Sequence, residues 1–189
     1  MNDQSNQIGS GENGMKAAGR RRFVRGVGIA TPVILTVASR SALARTCLSP
    51  SAQASIALDI SRPDRFKSEC YGLSPMSWKN ATFPQDSNHG SWTASGAEGK
   101  YFSAIFGSGF PDKTLKQVLR GLSEDPGTLG AHLCAAWCNL QTGKVPSTVL
   151  SLQTMKAMWD GRTASYQPVP GVFWGASQIV EYIKTTFSG

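Results

Sequence analysis

Residues 128–143, Thr-Leu-Gly-Ala-His-Leu-Cys-Ala-Ala-Trp-Cys-Asn-Leu-Gln-Thr-Gly, constrain the fold more than any other stretch. Helix-forming residues fill the segment, Thr128 suits an N-cap, and Gly143 suits the residue just past a helix end. Its alanines, Leu133, Trp137 and Leu140 leave almost no polar side. A helix that is apolar all round has to be buried, so this one is expected at the centre of a bundle.

Three further helices are expected around it. Asp112 is placed to cap one running to Leu119 or Leu122, with Leu115, Val118, Leu119 and Leu122 along one face. Thr148 is placed to cap a second, which ends at Gly161. Ser177 opens a last one, with Ile179, Val180, Ile183 and Phe187 in one stripe. Short loops between antiparallel helices give a mainly α fold, a small helical domain of about four helices, over residues 100–189.

Residues 45–99 read as an irregular segment pinned by tryptophan and packed with the helical part as one unit. Ser49-Pro50 has the N-cap and first-position signature of a short helix. The alternation of Ile56, Leu58 and Ile60 argues for extended chain after it. From Arg62 to Gly99 the chain is rich in Ser, Pro, Asn and Gly. All five tryptophans lie between Trp78 and Trp174, and rings of that size are expected mainly in the core. An aromatic platform for sugars or peptides is the livelier alternative.

The net charge of +7 points at first to an acidic partner. However, residues 1–44 hold six basic and two acidic side chains, which leaves 13 basic and 10 acidic in the remainder. Those are unclustered, so nucleic-acid binding is not expected. The opening charge has its own logic. Residues 1–19 have the composition of a disordered lead. The arginines at 20, 21, 22 and 25 precede an uncharged run from Gly26 to Val37, and Ala42-Leu43-Ala44 supplies small residues at −3 and −1. That order is a secretory signal peptide over residues 1–44, removed after Ala44. The run is shorter than the ~20 residues a membrane-spanning helix requires, and Pro32 interrupts it, so no permanent span is expected.

Arg20, Arg21 and Phe23 stand in Gly19-Arg20-Arg21-Arg22-Phe23-Val24-Arg25, which resembles the twin-arginine signal Ser/Thr-Arg-Arg-x-Phe-Leu-Lys. The resemblance implies the twin-arginine export machinery and a signal peptidase as partners. It also implies a destination in the periplasm, outside the cell or at its surface, with an envelope partner of unknown identity.

Four cysteines, Cys47, Cys70, Cys134 and Cys138, lie beyond the signal, and an even count in an exported chain reads first as disulfides. Cys47–Cys70 is the preferred bridge, because it ties a loose polar segment to the body. Cys134 and Cys138 are i and i+4 on one helix; partners elsewhere, free thiols and a distorted local bridge all stay open.

A second resemblance rests on Cys70-Tyr71-Gly72-Leu73-Ser74-Pro75-Met76-Ser77-Trp78-Lys79-Asn80. It is similar to exported bacterial proteins of unknown function with the pattern Cys, then Ser/Thr-Pro-Gly-Tyr/Phe-Trp-Lys-Asn-His. Those proteins carry an Ala-Ala-Leu-Leu-Asn-Ala helix further on, where this chain has His132 and Ala135-Ala136-Trp137-Cys138-Asn139, followed by Val145-Pro146-Ser147. Met76-Ser77 departs from the pattern, and Ala81 stands where it has histidine. The likeness covers roughly residues 47–160 and implies export without an established chemistry.

Among chemical constellations, His89, His132, Cys134 and Cys138 form the residue set of a zinc site, or of a thiol-redox centre on Cys134 and Cys138. Against both, His132 and Cys134 are i and i+2 and face different ways around a helix. Cys134 also lies about two turns from the helix N-terminus that lowers a thiol pKa. Asp86 beside His89 sits among turn formers. Glu124-Asp125-Pro126-Gly127 reads as a turn, and the glycine-rich pieces lack phosphate-loop spacing. Trp78-Lys79-Asn80 is the candidate ligand-binding set, Trp78 stacking on a ligand and Asn80 hydrogen-bonding it; the competing reading puts Trp78 in the core. No catalytic residue stands out. The expected role is therefore an exported, envelope-associated or secreted protein with a binding or structural function, no cofactor, and zinc binding or thiol redox as the alternative.

Overall fold

A computed structural model describes residues 46–58, 68–85 and 89–188. The signal residues, the proposed cleavage site at Ala44, Ile60 and Asp86 lie outside these. Eight α-helices and two short antiparallel strand pairs occur among the described residues. In chain order they are β1 (Thr46–Cys47), α1 (Pro50–Ala57), β2 (Ser68–Glu69), α2 (Pro75–Ala81), α3 (His89–Ala94) and α4 (Phe102–Phe106). There follow α5 (Leu115–Leu119), α6 (Leu129–Gln141), α7 (Leu152–Asp160), β3 (Tyr166–Val169), β4 (Val172–Trp174) and α8 (Ala176–Lys184). The fold is mainly α, as the helical periodicities require.

Helix α6 is the axis. Ten of its residues, from Leu129 through Asn139, are buried, and α2, α5, α7 and α8 pack on it. All five tryptophans are buried, none more than 5 % exposed. Local signals set the helix starts. Ser49 accepts from the Ala52 amide ahead of Pro50, and Ser74 accepts from the Ser77 amide ahead of Pro75.

Several expectations need correction. The 45–99 stretch is less irregular than its composition implies, because α1, α2 and α3 all form within it. Asp112 caps nothing; it sits at φ 59, and Thr114 caps α5 through a reciprocal box with Gln117. Thr128 is also in the left-handed region, at φ 64, with no side-chain cap bond. The cap of α6 comes instead from Asp125, whose two carboxylate oxygens accept from the Gly130 and Ala131 amides at 2.7 and 3.0 Å. Ser151, three residues beyond Thr148, caps α7. The hairpin β3–β4 was not expected.

Cys47 and Cys70 are bridged, with Cα atoms 5.7 Å apart, and β1 pairs with β2 around the bridge. Closing the 23-residue separation contributes on the order of 3 kcal/mol by the chain-entropy argument. Cys134 and Cys138 are free and buried, so the bridged alternative for that pair is set aside.

One buried amide joins the N-terminal segment to α6. Asn139 Oδ1 accepts from the Leu73 amide at 2.8 Å and from the Trp78 indole N–H at 2.9 Å, while its Nδ2 donates to the Leu73 carbonyl at 3.0 Å. Gly72, next to this clasp, exchanges backbone bonds with Thr186 and Ser188, and a Cβ there would lie 2.5 Å from the Thr186 carbonyl oxygen. Asn139→Ala strands two donors and an acceptor in a dry interior, each costing about 1–3 kcal/mol. Urea unfolding is expected to show a loss of about 3 kcal/mol or more, with Trp78 fluorescence altered in the folded state.

Candidate functional site

A cleft of about 420 Å³ opens where the loop between α4 and α5 meets the end of α7. Gly109, Phe110, Pro111 and Lys113 come from the loop, Glu124 precedes α6, and Trp159 and Arg162 come from the end of α7.

Backbone geometry makes the loop specific. Gly107, Gly109, Phe110 and Asp112 all have positive φ, at 84, 82, 40 and 59°. For a bulky aromatic residue such as Phe110 that region is strained, at about 1–3 kcal/mol. Packing holds it there. The Phe110 ring meets Phe102 edge-on at 5.0 Å and Trp159 at 5.2 Å, and Phe102 meets Trp159 at 4.8 Å. Phe102 N–H donates to the Lys113 carbonyl and Leu115 N–H to the Lys100 carbonyl, both at 2.9 Å, which staples the two ends of the loop together.

The same cluster positions a cation. The Arg162 guanidinium lies 4.3 Å from the Trp159 ring centroid and donates Nη1 to the Trp159 carbonyl at 2.7 Å. The Trp159 indole N–H donates to Ser108 Oγ at 3.1 Å. With the ring and one N–H committed, Arg162 keeps further donors in a fixed orientation. Among the described residues the single ion pair is Lys184–Glu181. Neither Lys113 nor Arg162 is therefore neutralised by a carboxylate, and Glu124 is not paired with a cation.

The structure does not assemble the residues singled out from sequence into this cleft. Trp78 is fully buried with its N–H on Asn139, so its ring has no face open for stacking, while Lys79 is half-buried and Asn80 exposed. His89 Nδ1 lies 3.3 Å from the Ala81 carbonyl. His132 Nδ1 lies 2.8 Å from the Thr128 carbonyl, and its ring stacks on Phe187 at 6.1 Å. Cys134 and Cys138 are fully buried. Among the described residues no three His, Cys, Asp or Glu side chains are grouped as metal ligands, so His89, His132, Cys134 and Cys138 do not meet as a zinc set. Burial pushes both thiols up, Cys138 to about 12, so the thiolate needed for thiol exchange is scarce at neutral pH.

Sequence reasoning missed the cleft. Its one mark in the sequence is Gly107-Ser108-Gly109-Phe110-Pro111, a glycine-rich piece without phosphate-loop spacing. Comparison with protein-family models, with curated proteins and with solved structures returns no match.

Two outcomes follow. A Cβ on Gly109 would fall 2.3 Å from Trp159 Cζ2, at a φ that also disfavours it. Gly109→Ala is expected to cost about 2–4 kcal/mol in thermal or urea unfolding and to perturb Trp159 emission. His132 is held below the ordinary imidazole value of 6.5, chiefly by burial. A depressed folded pKa gives stability that is present above 6.5 and lost as pH falls through the lower folded value. Asp125 has the opposite sign. Burial raises its pKa against the two amides that it caps, so the stability from its protonated form is lost as pH rises. On going from about pH 7.5 to about pH 5, the urea midpoint is expected to fall less, or rise more, in His132→Gln than in the wild type.

Proposed function

We propose that this chain is exported and acts outside the cytoplasm as a binding protein for a small anionic solute, held in the cleft beside Phe110. The observation that carries the reading is the Arg162 guanidinium, fixed over Trp159 and unpaired beside a strained loop that also presents the unpaired Lys113. A pre-oriented guanidinium suits the flat, two-oxygen edge of a carboxylate or a phosphate. Little side-chain entropy remains to be lost on binding. Glu124 in the same lining favours ligands that carry a positive or hydrogen-bond-donating group beside the anion. The lining offers no nucleophile held by a base, which supports binding over catalysis.

Export rests on the signal pattern at Arg20, Arg21 and Phe23 and on Ala42-Leu43-Ala44. The Cys47–Cys70 bridge supports it, because disulfides persist in oxidising compartments. Among the described residues no helix is long and apolar enough to cross a membrane. The partners on this reading are the twin-arginine machinery, a signal peptidase and an envelope or extracellular ligand source.

Calorimetric titration of the full chain with inorganic phosphate, acetate, glycine and citrate tests the binding half. At least one is expected to bind, and Arg162→Ala is expected to weaken it about tenfold to a hundredfold, the worth of a charged hydrogen bond. Lys113→Ala is expected to have a smaller effect, with far-UV dichroism unchanged in both. No heat with any ligand, or equal affinity in both variants, would overturn it. For export, replacing Arg20 and Arg21 together by lysine is expected to leave the precursor in the cytoplasm, read by fractionation and immunoblot.

A further inference from the structure

Two redox states of cysteine coexist in one small fold. Cys47 and Cys70 are bridged, whereas Cys134 and Cys138 are free and 0 % exposed. The bridge sits at the margin of the core, where Glu69 and Tyr71 beside Cys70 are exposed. The free pair lies one turn apart in α6, on which α2, α5, α7 and α8 pack, with Ser95 against Cys138.

In an unfolded chain the four thiols compete, and loop closure favours the nearest pair. That pair is Cys134 and Cys138, four residues apart, against a separation of 23 for Cys47 and Cys70. Yet a bridge between Cys134 and Cys138 does not fit α6. Helical i and i+4 positions hold their Cβ atoms about 5–6 Å apart, and a disulfide needs about 3.5–4.5 Å. The kinetically favoured bridge would break the helix on which the fold is built.

We infer that the fold closes around α6 before the Cys47–Cys70 bridge forms, so that packing, and not competition among thiols, selects the native pairing. The disulfide is then a late lock on an already folded domain. In that step the Cys47 and Cys70 thiols give up two protons and two electrons and form the S–S bond. An external disulfide, such as oxidised glutathione, is cleaved and reduced to two thiols through a mixed disulfide. The chain must consequently meet its oxidant folded, whichever route delivers it.

Refolding the full chain in two orders tests this. In one order the reduced chain folds first and oxidised glutathione is added afterwards. In the other the oxidant is added in denaturant, excess oxidant is removed, and the chain is then allowed to fold. Differential alkylation with mass spectrometry reads the pairing, and far-UV dichroism reads α6. The first order is expected to give one Cys47–Cys70 bridge, two thiols that resist alkylation and full helicity. The second is expected to give bridges that include Cys134 or Cys138, with helicity lost. Replacing Cys134 and Cys138 by alanine is expected to make the two orders equivalent. Replacing Cys47 and Cys70 by alanine is expected to keep the order dependence, since the damaging pair remains, and this second variant decides the matter if the first folds poorly. Native pairing and helicity from the oxidise-first order in the wild type would overturn the inference.

Discussion

A helix without a polar side has to be enclosed on every side, and α6 imposes that condition on all its neighbours. The enclosure holds one full amide, Asn139. Its side chain can accept and donate at once, so a single residue satisfies the Leu73 amide, the Leu73 carbonyl and the Trp78 indole without water. Those bonds fix where the 70–81 segment lies on α6. The position of α2 and the close approach of Gly72 to Thr186 follow from it. Apolar packing makes the bundle compact, and the amide makes it specific.

The cleft follows a different logic. Around Asn139 every polar group is satisfied; beside Phe110 the backbone is strained and the cations are unpaired. Strain of this kind persists only where surrounding packing enforces it. The Phe102, Phe110 and Trp159 rings supply that enforcement, and they also hold Arg162 in place. Stability stored in the aromatic cluster is thus converted into orientation of a charge.

What the sequence made legible divides along the same line. The central place of α6 could be read because an all-round apolar helix has one solution, and Ser49-Pro50 could be read because capping is local. The start of α6 could not, since Asp125 caps it from four residues upstream while Thr128, with the better capping chemistry, is turned into the left-handed region. Short helices α2 and α3 were hidden by a composition typical of loops; packing of α2 on α5 and α6, and of α3 on α2, stabilises what propensity does not. Pro168 inside Tyr166–Val169 masked the hairpin. The cleft was the least legible feature, because its cations come from separate elements and positive φ at Phe110 or Asp112 leaves no mark in a residue pattern.

The last described residues close the molecule. Tyr182 donates its hydroxyl to the Leu48 and Val149 carbonyls, and the backbone at Gly72 bonds with Thr186 and Ser188. Opposite ends of the folded unit are therefore stitched to each other, and one packed side of α6 stays open until α8 is made. A nascent chain whose residue 188 is still inside the ribosome lacks that closure. Synthesis of this protein thus includes an interval in which its central helix is made but covered only by the elements that precede it. The length of that interval is set by translation and not by folding chemistry.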